Sequence, residues 1–412
     1  MTLAHLLLPL AILALCVRCS PAPDASAATS PPAPLLPLYH ALDALQAGTA
    51  RSPFAVLQIG DSHTANDAFS GRLRELFQDR FGDAGRGMMQ AGIPFRYYHP
   101  NQVTVTASGW RTISSYDPGT PGPFGLTGLR QTATGPAEML LQADQPGGIA
   151  KVAVEALAQP NGGTIEAITD NGAAAAFSTK GRPGTPLWLN MPTTASSASL
   201  TLRTRGDGPV ELLSWTIGRG HAGVTYSNLG TVSATIDLVG RWDAGLMAAE
   251  MAHLHPALIL VEFGTNEGFK DSTDVESYTG RYAEHVGSLR HAAPWAAIML
   301  IGPPDGTRRA SPGEACPGDA SGRPGLWFIP PRLPEIRAVQ QRLARSAGYG
   351  YWDWQAAMGG ACSILPMTLT DPPLAAPDHV HMFAPGYRAT AEALFQSLMQ
   401  GYGSYQASMR PR

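Results

Sequence analysis

Charge is scarce in this 412-residue chain: Asp, Glu, Lys and Arg make up 15% of it, and the formal net charge is only -3. No basic stripe interleaved with aromatics stands out, which argues against nucleic acid as a partner. Long apolar runs are lacking too. The run from Leu6 to Val17 is about a dozen residues, too short to span a bilayer, so no membrane span is expected in the mature chain. Cysteine is limited to 4 residues, too few for a disulfide-built scaffold, and no internal repeat points to a solenoid. What the chain does have is 44% hydrophobic residues with 45 Gly and 36 Pro. It is therefore globular and rich in turns, with room for two or three domains.

The apolar run Leu6 to Val17 is followed by Pro, Ser and Ala, which reads as an export signal ending after Ala25-Ser26-Ala27, although Lys and Arg are missing before it. Residues 1–27 would then be removed and the mature chain would be exported, with the periplasm the expected place. A lipid anchor on Cys16 or Cys19 is the alternative. Leu15 and Arg18 precede those cysteines where a small residue is wanted. Cleavage would leave Cys316 and Cys362 as the remaining cysteines, an even pair in an oxidising compartment and a candidate disulfide; two unpaired thiols in loops is the other reading.

Residues 28–50 form a Pro/Ala/Ser-rich linker and a short helix. Next comes Phe54 to Ile59, a continuous apolar run that stops at Gly60, as a buried parallel strand does. Phe69, Leu73, Leu76, Phe77 and Phe81 then recur at helical spacing. The same order of strand, turn and helix returns at Ala257 to Phe263, at Ala297 to Ile301 and at Tyr349 to Trp354. Alternating strands and helices predict a three-layer α/β/α domain with a mostly parallel sheet. Between residues 101 and 221 the pattern changes to short alternating segments such as Val103 to Thr106 and Leu200 to Arg203, split by Gly, Pro, Asn and Asp. That block reads as an inserted β-rich, sandwich-like domain.

Three small clusters carry chemistry. Gly60-Asp61-Ser62-His63 projects a serine from the carboxyl end of a strand, where open α/β sheets bind ligands. Gly264-Thr265-Asn266-Glu267 repeats this arrangement with an asparagine whose amide can donate to a developing oxyanion. Asp378-His379-Val380-His381 places an aspartate three residues before a histidine, a spacing that lets the carboxylate orient the ring. Each has a plain structural alternative: Ser62 as a helix cap, Asn266 as a turn residue, and Asp378, His379 and His381 as metal ligands.

In this order the clusters resemble the sequence blocks of the SGNH (GDSL-type) hydrolase superfamily. Gly60-Asp61-Ser62 matches the first block, Gly264-Thr265-Asn266 the third and Asp378-x-x-His381 the last. Gly230 is the candidate for the second-block glycine. The reading GDSH at Gly60 to His63, together with the interrupting β-block, is similar to bacterial peptidoglycan O-acetylesterases. Trp352-Asp353-Trp354 and Ala357 to Gly360 add to the likeness. The resemblance implies residues 51–100 and 222–400 as a discontinuous hydrolase domain, 101–221 as a carbohydrate-binding-like insertion and 401–412 as a tail. It also implies Ser62 as nucleophile, His381 as base, Asp378 as its orienting carboxylate, and Ser62, Gly230 and Asn266 as oxyanion donors. No metal and no cofactor are needed for that chemistry.

The implied activity is removal of O-acetyl groups from an envelope polysaccharide, peptidoglycan first among them. A polysaccharide O-acetyltransferase would use the same residues, and a carbohydrate-binding protein with a decayed catalytic domain would keep only the β-block. His63 is expected to support the nucleophile turn and Glu267 to cap or bond locally. Trp110 is a candidate aromatic platform on the insertion.

Overall fold

The computed structural model describes residues 33–410 apart from 97, 146, 310–311 and 318–325. The expected signal at 1–27 lies outside the described residues. The apolar strands assemble into one six-stranded sheet in the order Gly350–Trp352, Ala297–Ile301, Pro256–Glu262, Phe54–Gly60, Val224–Gly230, Asp83–Gly85, and all its pairings are parallel. Because side chains alternate along a strand, the sheet feeds two cores. Val56, Leu258, Leu260 and Met299 face one, closed by the helices Leu36–Gln46, Phe69–Phe81 and Ala384–Met409. Leu57, Ile59, Ile259 and Val261 face the other, closed by Ala244–Leu254, Val275–Ala292 and Arg332–Ala347. The result is the expected three-layer α/β/α arrangement.

The β-rich block forms two antiparallel sheets around a core that includes Met139, Leu141, Val154, Ile165, Leu202 and Trp215. Trp110 packs against this core. The strand Gly87–Gln90, which lies before residue 101, pairs with Val210–Gly218 and so joins the antiparallel sheets. At the other end, residues 401–409 are not a tail. They continue the last helix to Met409, because Tyr402 and Tyr405 bury against Tyr39 with ring centroids 6.1 and 5.9 Å apart. Packing there outweighs the weak helix propensity of Gly401 and Gly403.

This topology puts the ends of Phe54–Gly60, Val224–Gly230 and Pro256–Glu262 side by side, with Gly60 in register with both Gly230 and Glu262. The three segments that follow these strands carry Ser62, the turn after Gly230, and Asn266. A buried ion network anchors this edge: Asp67 lies 2.8 Å from Arg74 Nη2 and 3.1 Å from Arg86 Nη2. It also accepts hydrogen bonds from Asn101, Ser70 and Asn228.

Candidate active site

Ser62 opens a four-residue helix, Ser62–Ala65, directly after the strand ending at Gly60. The cap is Asp61, not the serine: Asp61 Oδ1 accepts the His63 N–H at 2.9 Å. The serine hydroxyl is thereby left for another partner, and Ser62 Oγ lies 2.9 Å from His381 Nε2. His381 Nδ1 lies 2.7 Å from Asp378 Oδ2, while Asp378 Oδ1 accepts the N–H groups of Val380 and His381 at 2.9 and 3.0 Å. A proton on Nδ1 donates to the carboxylate and leaves Nε2 to accept the serine proton, which is the tautomer a general base needs. Partial burial acts to raise the Asp378 carboxyl, but the hydrogen bonds from His381 and Val380 outweigh it and hold the group below the usual carboxylate range. The side chains of His381 and Asp378 remain 42% and 48% exposed, so this pair opens to solvent.

Donors surround the same edge. As the first residue of its helix, Ser62 has an N–H with no partner inside that helix. The amide of Asn266, in the short helix Thr265–Phe269, gives one hydrogen to Ala234 O at 2.8 Å, which fixes its orientation and leaves the second to point elsewhere. Gly230 must be glycine, since a Cβ there would run into the backbone of Ala65. Its N–H, however, donates to Asn228 Oδ1 at 3.0 Å, so it acts on an oxyanion only by sharing or releasing that bond.

Behind Ser62 the site is closed by buried side chains. The His63 ring is fully buried, meets Tyr387 Oη at 2.8 Å and lies with its centroid 5.1 Å from that of His381. Burial first, and the nearby His381 second, push its pKa down to about 3, so it stays neutral and serves as a wall. Glu267 reaches back to the N–H of Ile236 at 2.9 Å and pins the segment Ile236–Arg241, a longer-range bond than the local one expected. Burial raises its carboxyl to about 7. Glu262 was not singled out in the sequence. It is buried beside Asp61 and accepts from Thr64 Oγ1 at 2.9 Å. The available signal was a single acid inside the apolar run Ala257 to Phe263.

The metal alternative for the last cluster does not fit. The His379 ring stacks on Trp327 while His381 faces Ser62, so the two imidazoles have separate partners. Among the described residues no group of three or more His, Cys, Asp or Glu is placed to hold a metal ion. Cys316 and Cys362 form the expected disulfide, with their Cα atoms 5.7 Å apart.

No family model matches the chain. No curated protein matches it either. Among solved structures, a peptidoglycan O-acetylesterase is similar at 28% identity and a TM-score of 0.73, over 89% of this chain and 96% of that one. A family two carbohydrate esterase from Clostridium thermocellum aligns over 66% of this chain and 95% of its own at 10% identity and a TM-score of 0.30. In fold, and in the order of its sequence blocks, the chain resembles the SGNH hydrolases, and it is a serine-type ester hydrolase.

Proposed function

We propose that the chain is exported and removes O-acetyl groups from an envelope polysaccharide, with peptidoglycan as the substrate, through an acetyl-enzyme on Ser62. The observation that carries this is the hydrogen-bonded chain from Ser62 Oγ through His381 to Asp378, at 2.9 and 2.7 Å. The likeness at 28% identity to a peptidoglycan O-acetylesterase supports the substrate, since it extends over 89% of this chain and so takes in part of the β-rich block.

In this reading Ser62 Oγ gives its proton to His381 Nε2 and attacks the acetyl carbonyl carbon. The resulting oxyanion is held by the Ser62 N–H and by the free hydrogen of Asn266, with the Gly230 N–H joining if Asn228 yields it. Collapse breaks the bond to the sugar oxygen, which takes the proton from His381. Water then gives a proton to His381 and attacks the acetyl carbon. Acetate departs and Ser62 recovers its proton. Asp378 keeps the ring in the productive tautomer and stabilises the transient imidazolium.

The β-rich block is read as presenting polymer to this site. Acetate release from O-acetylated peptidoglycan, beside other acetylated polysaccharides and with a sugar acceptor present, tests the reading. Preferred release from peptidoglycan supports it. Preferred release from another glycan refutes the substrate, and acetyl recovered on the acceptor rather than as acetate indicates a transferase.

A further inference from the structure

The Asp378–His381 turn is half-exposed, and its internal hydrogen bonds are short-range: Ala376 N–H to His381 O at 2.8 Å and His379 N–H to Ala376 O at 3.0 Å. Bonds of that kind alone would let the turn open easily, so its contacts with distant segments matter. Thr307 and Trp327, both between Ala297–Ile301 and Arg332–Ala347, touch it. The Trp327 indole stacks on the His379 imidazole with centroids 3.6 Å apart and planes 15° off parallel. Thr307 N–H donates to His379 O at 2.9 Å. His379 itself sits in the left-handed region at φ 58°, a conformation that a non-glycine residue keeps only where its surroundings impose it.

Trp327 is in turn held from behind. Its carbonyl accepts the Cys316 N–H at 2.9 Å, and Glu314–Ala315 pairs with Phe328–Ile329. Cys316 is bonded to Cys362. Beside that bridge, the buried Asp305 at the start of the same loop takes the Ile364 N–H at 3.0 Å and Gln355 Nε2 at 2.9 Å. The path from disulfide to triad is therefore short: Cys362, Cys316, Trp327, His379, then Asp378 and His381 on either side.

We propose that Trp327 is a positioning residue for the triad, and that the Cys316–Cys362 disulfide holds Trp327 against the turn, making full activity dependent on an oxidised pair. This rests on Ser62, His381 and Asp378 acting as proposed above. Without the stack the turn would sample other conformations, the His381 ring would leave the line between Ser62 and Asp378, and turnover would fall while the surface that binds substrate stayed in place. A misplacement of about 1 Å can cost on the order of a hundredfold in rate.

The test compares the parent with Trp327→Ala, Trp327→Phe, His379→Ala and the double variant Cys316→Ser/Cys362→Ser. Two readouts are taken: kcat and KM on a small chromogenic acetyl ester, and the rate at which a sulfonyl fluoride inactivates Ser62. Thermal melting checks that each is folded. We expect Trp327→Ala and the double cysteine variant to lose roughly tenfold to a hundredfold in both kcat and sulfonylation rate with KM little changed, and Trp327→Phe, which keeps a flat ring, to recover most of it. If Trp327→Ala does not fold, His379→Ala removes the same stack from the other side and carries the same expectation. Folded variants with parental kcat and sulfonylation rate, a loss confined to KM, or no recovery with Phe would each overturn the proposal. Ser62→Ala is run alongside. Were it as active as the parent, the proposed function itself would fall; an inactive Ser62→Ala beside an unimpaired Trp327→Ala would sink only the positioning role.

Discussion

Asp61, one residue before Ser62, and Glu262 meet through their carboxyl groups in a place closed to water, and both are 0% exposed. Two acids placed this close favour one proton held between them, with Thr265 as a further side-chain partner of Asp61. Burial raises Asp61 to about 6, and burial together with the Asp61 charge raises Glu262 well above the ordinary range. The folded state thus holds a proton that the unfolded chain, with carboxyl pKa values near 4, releases. Its contribution to stability is complete below about pH 4 and fades as the pH rises through about 6 and beyond.

Replacing Glu262 by Gln supplies a permanent donor to Asp61. The variant should therefore lose less stability than the parent between pH 5 and 8, by on the order of 1–3 kcal/mol at the upper end. Chemical unfolding at several pH values measures this. Parallel pH curves for parent and Glu262→Gln would show that the two acids do not share a proton.

Asp67 behaves in the opposite sense. Burial acts to raise its carboxyl, but the charges of Arg74 and Arg86 outweigh that and hold it below the usual range. Its contribution is present above about pH 4 and is lost as the pH falls further. Asp67→Asn leaves two buried guanidinium groups without their counter-charge and should cost about 3–5 kcal/mol in urea unfolding at neutral pH. A loss below about 1 kcal/mol would mean that the network is not anchoring this edge of the sheet.

Asn266→Ala removes the amide hydrogen left over after the bond to Ala234 O. Since an oxyanion exists only in the transition state, kcat should fall about 100- to 1000-fold with KM little altered. Steady-state kinetics on a small acetyl ester decide it. A change in KM alone would assign Asn266 to ground-state binding instead.

Much of the frame was legible because it rests on local pattern. The apolar runs that end at Gly60 and Ile301 are strands, and Phe69 to Phe81 is one helix. Ser62, His381 and Asp378 were found by type and order, and the fold brings them together. What escaped depends on contacts distant in sequence. Glu262 looks like an interruption in an apolar strand until Asp61 is placed opposite it. Trp327 gains its meaning only from its stack on His379, and the last helix outruns its propensity because Tyr402 and Tyr405 find Tyr39. The bond from Gly230 N–H to Asn228 was likewise invisible, since strand periodicity does not report which way a strand-end amide turns.

If Ser62 is the nucleophile, it carries the acetyl group between attack and hydrolysis. Rapid quenching of the parent with a small acetyl ester, followed by mass spectrometry of the peptide containing Ser62, tests it most directly. We expect a transient acetyl group on Ser62 that forms no slower than turnover, and no acetylated peptide and no acetate release with a folded Ser62→Ala variant. Acetate release by Ser62→Ala at the parental rate would contradict it.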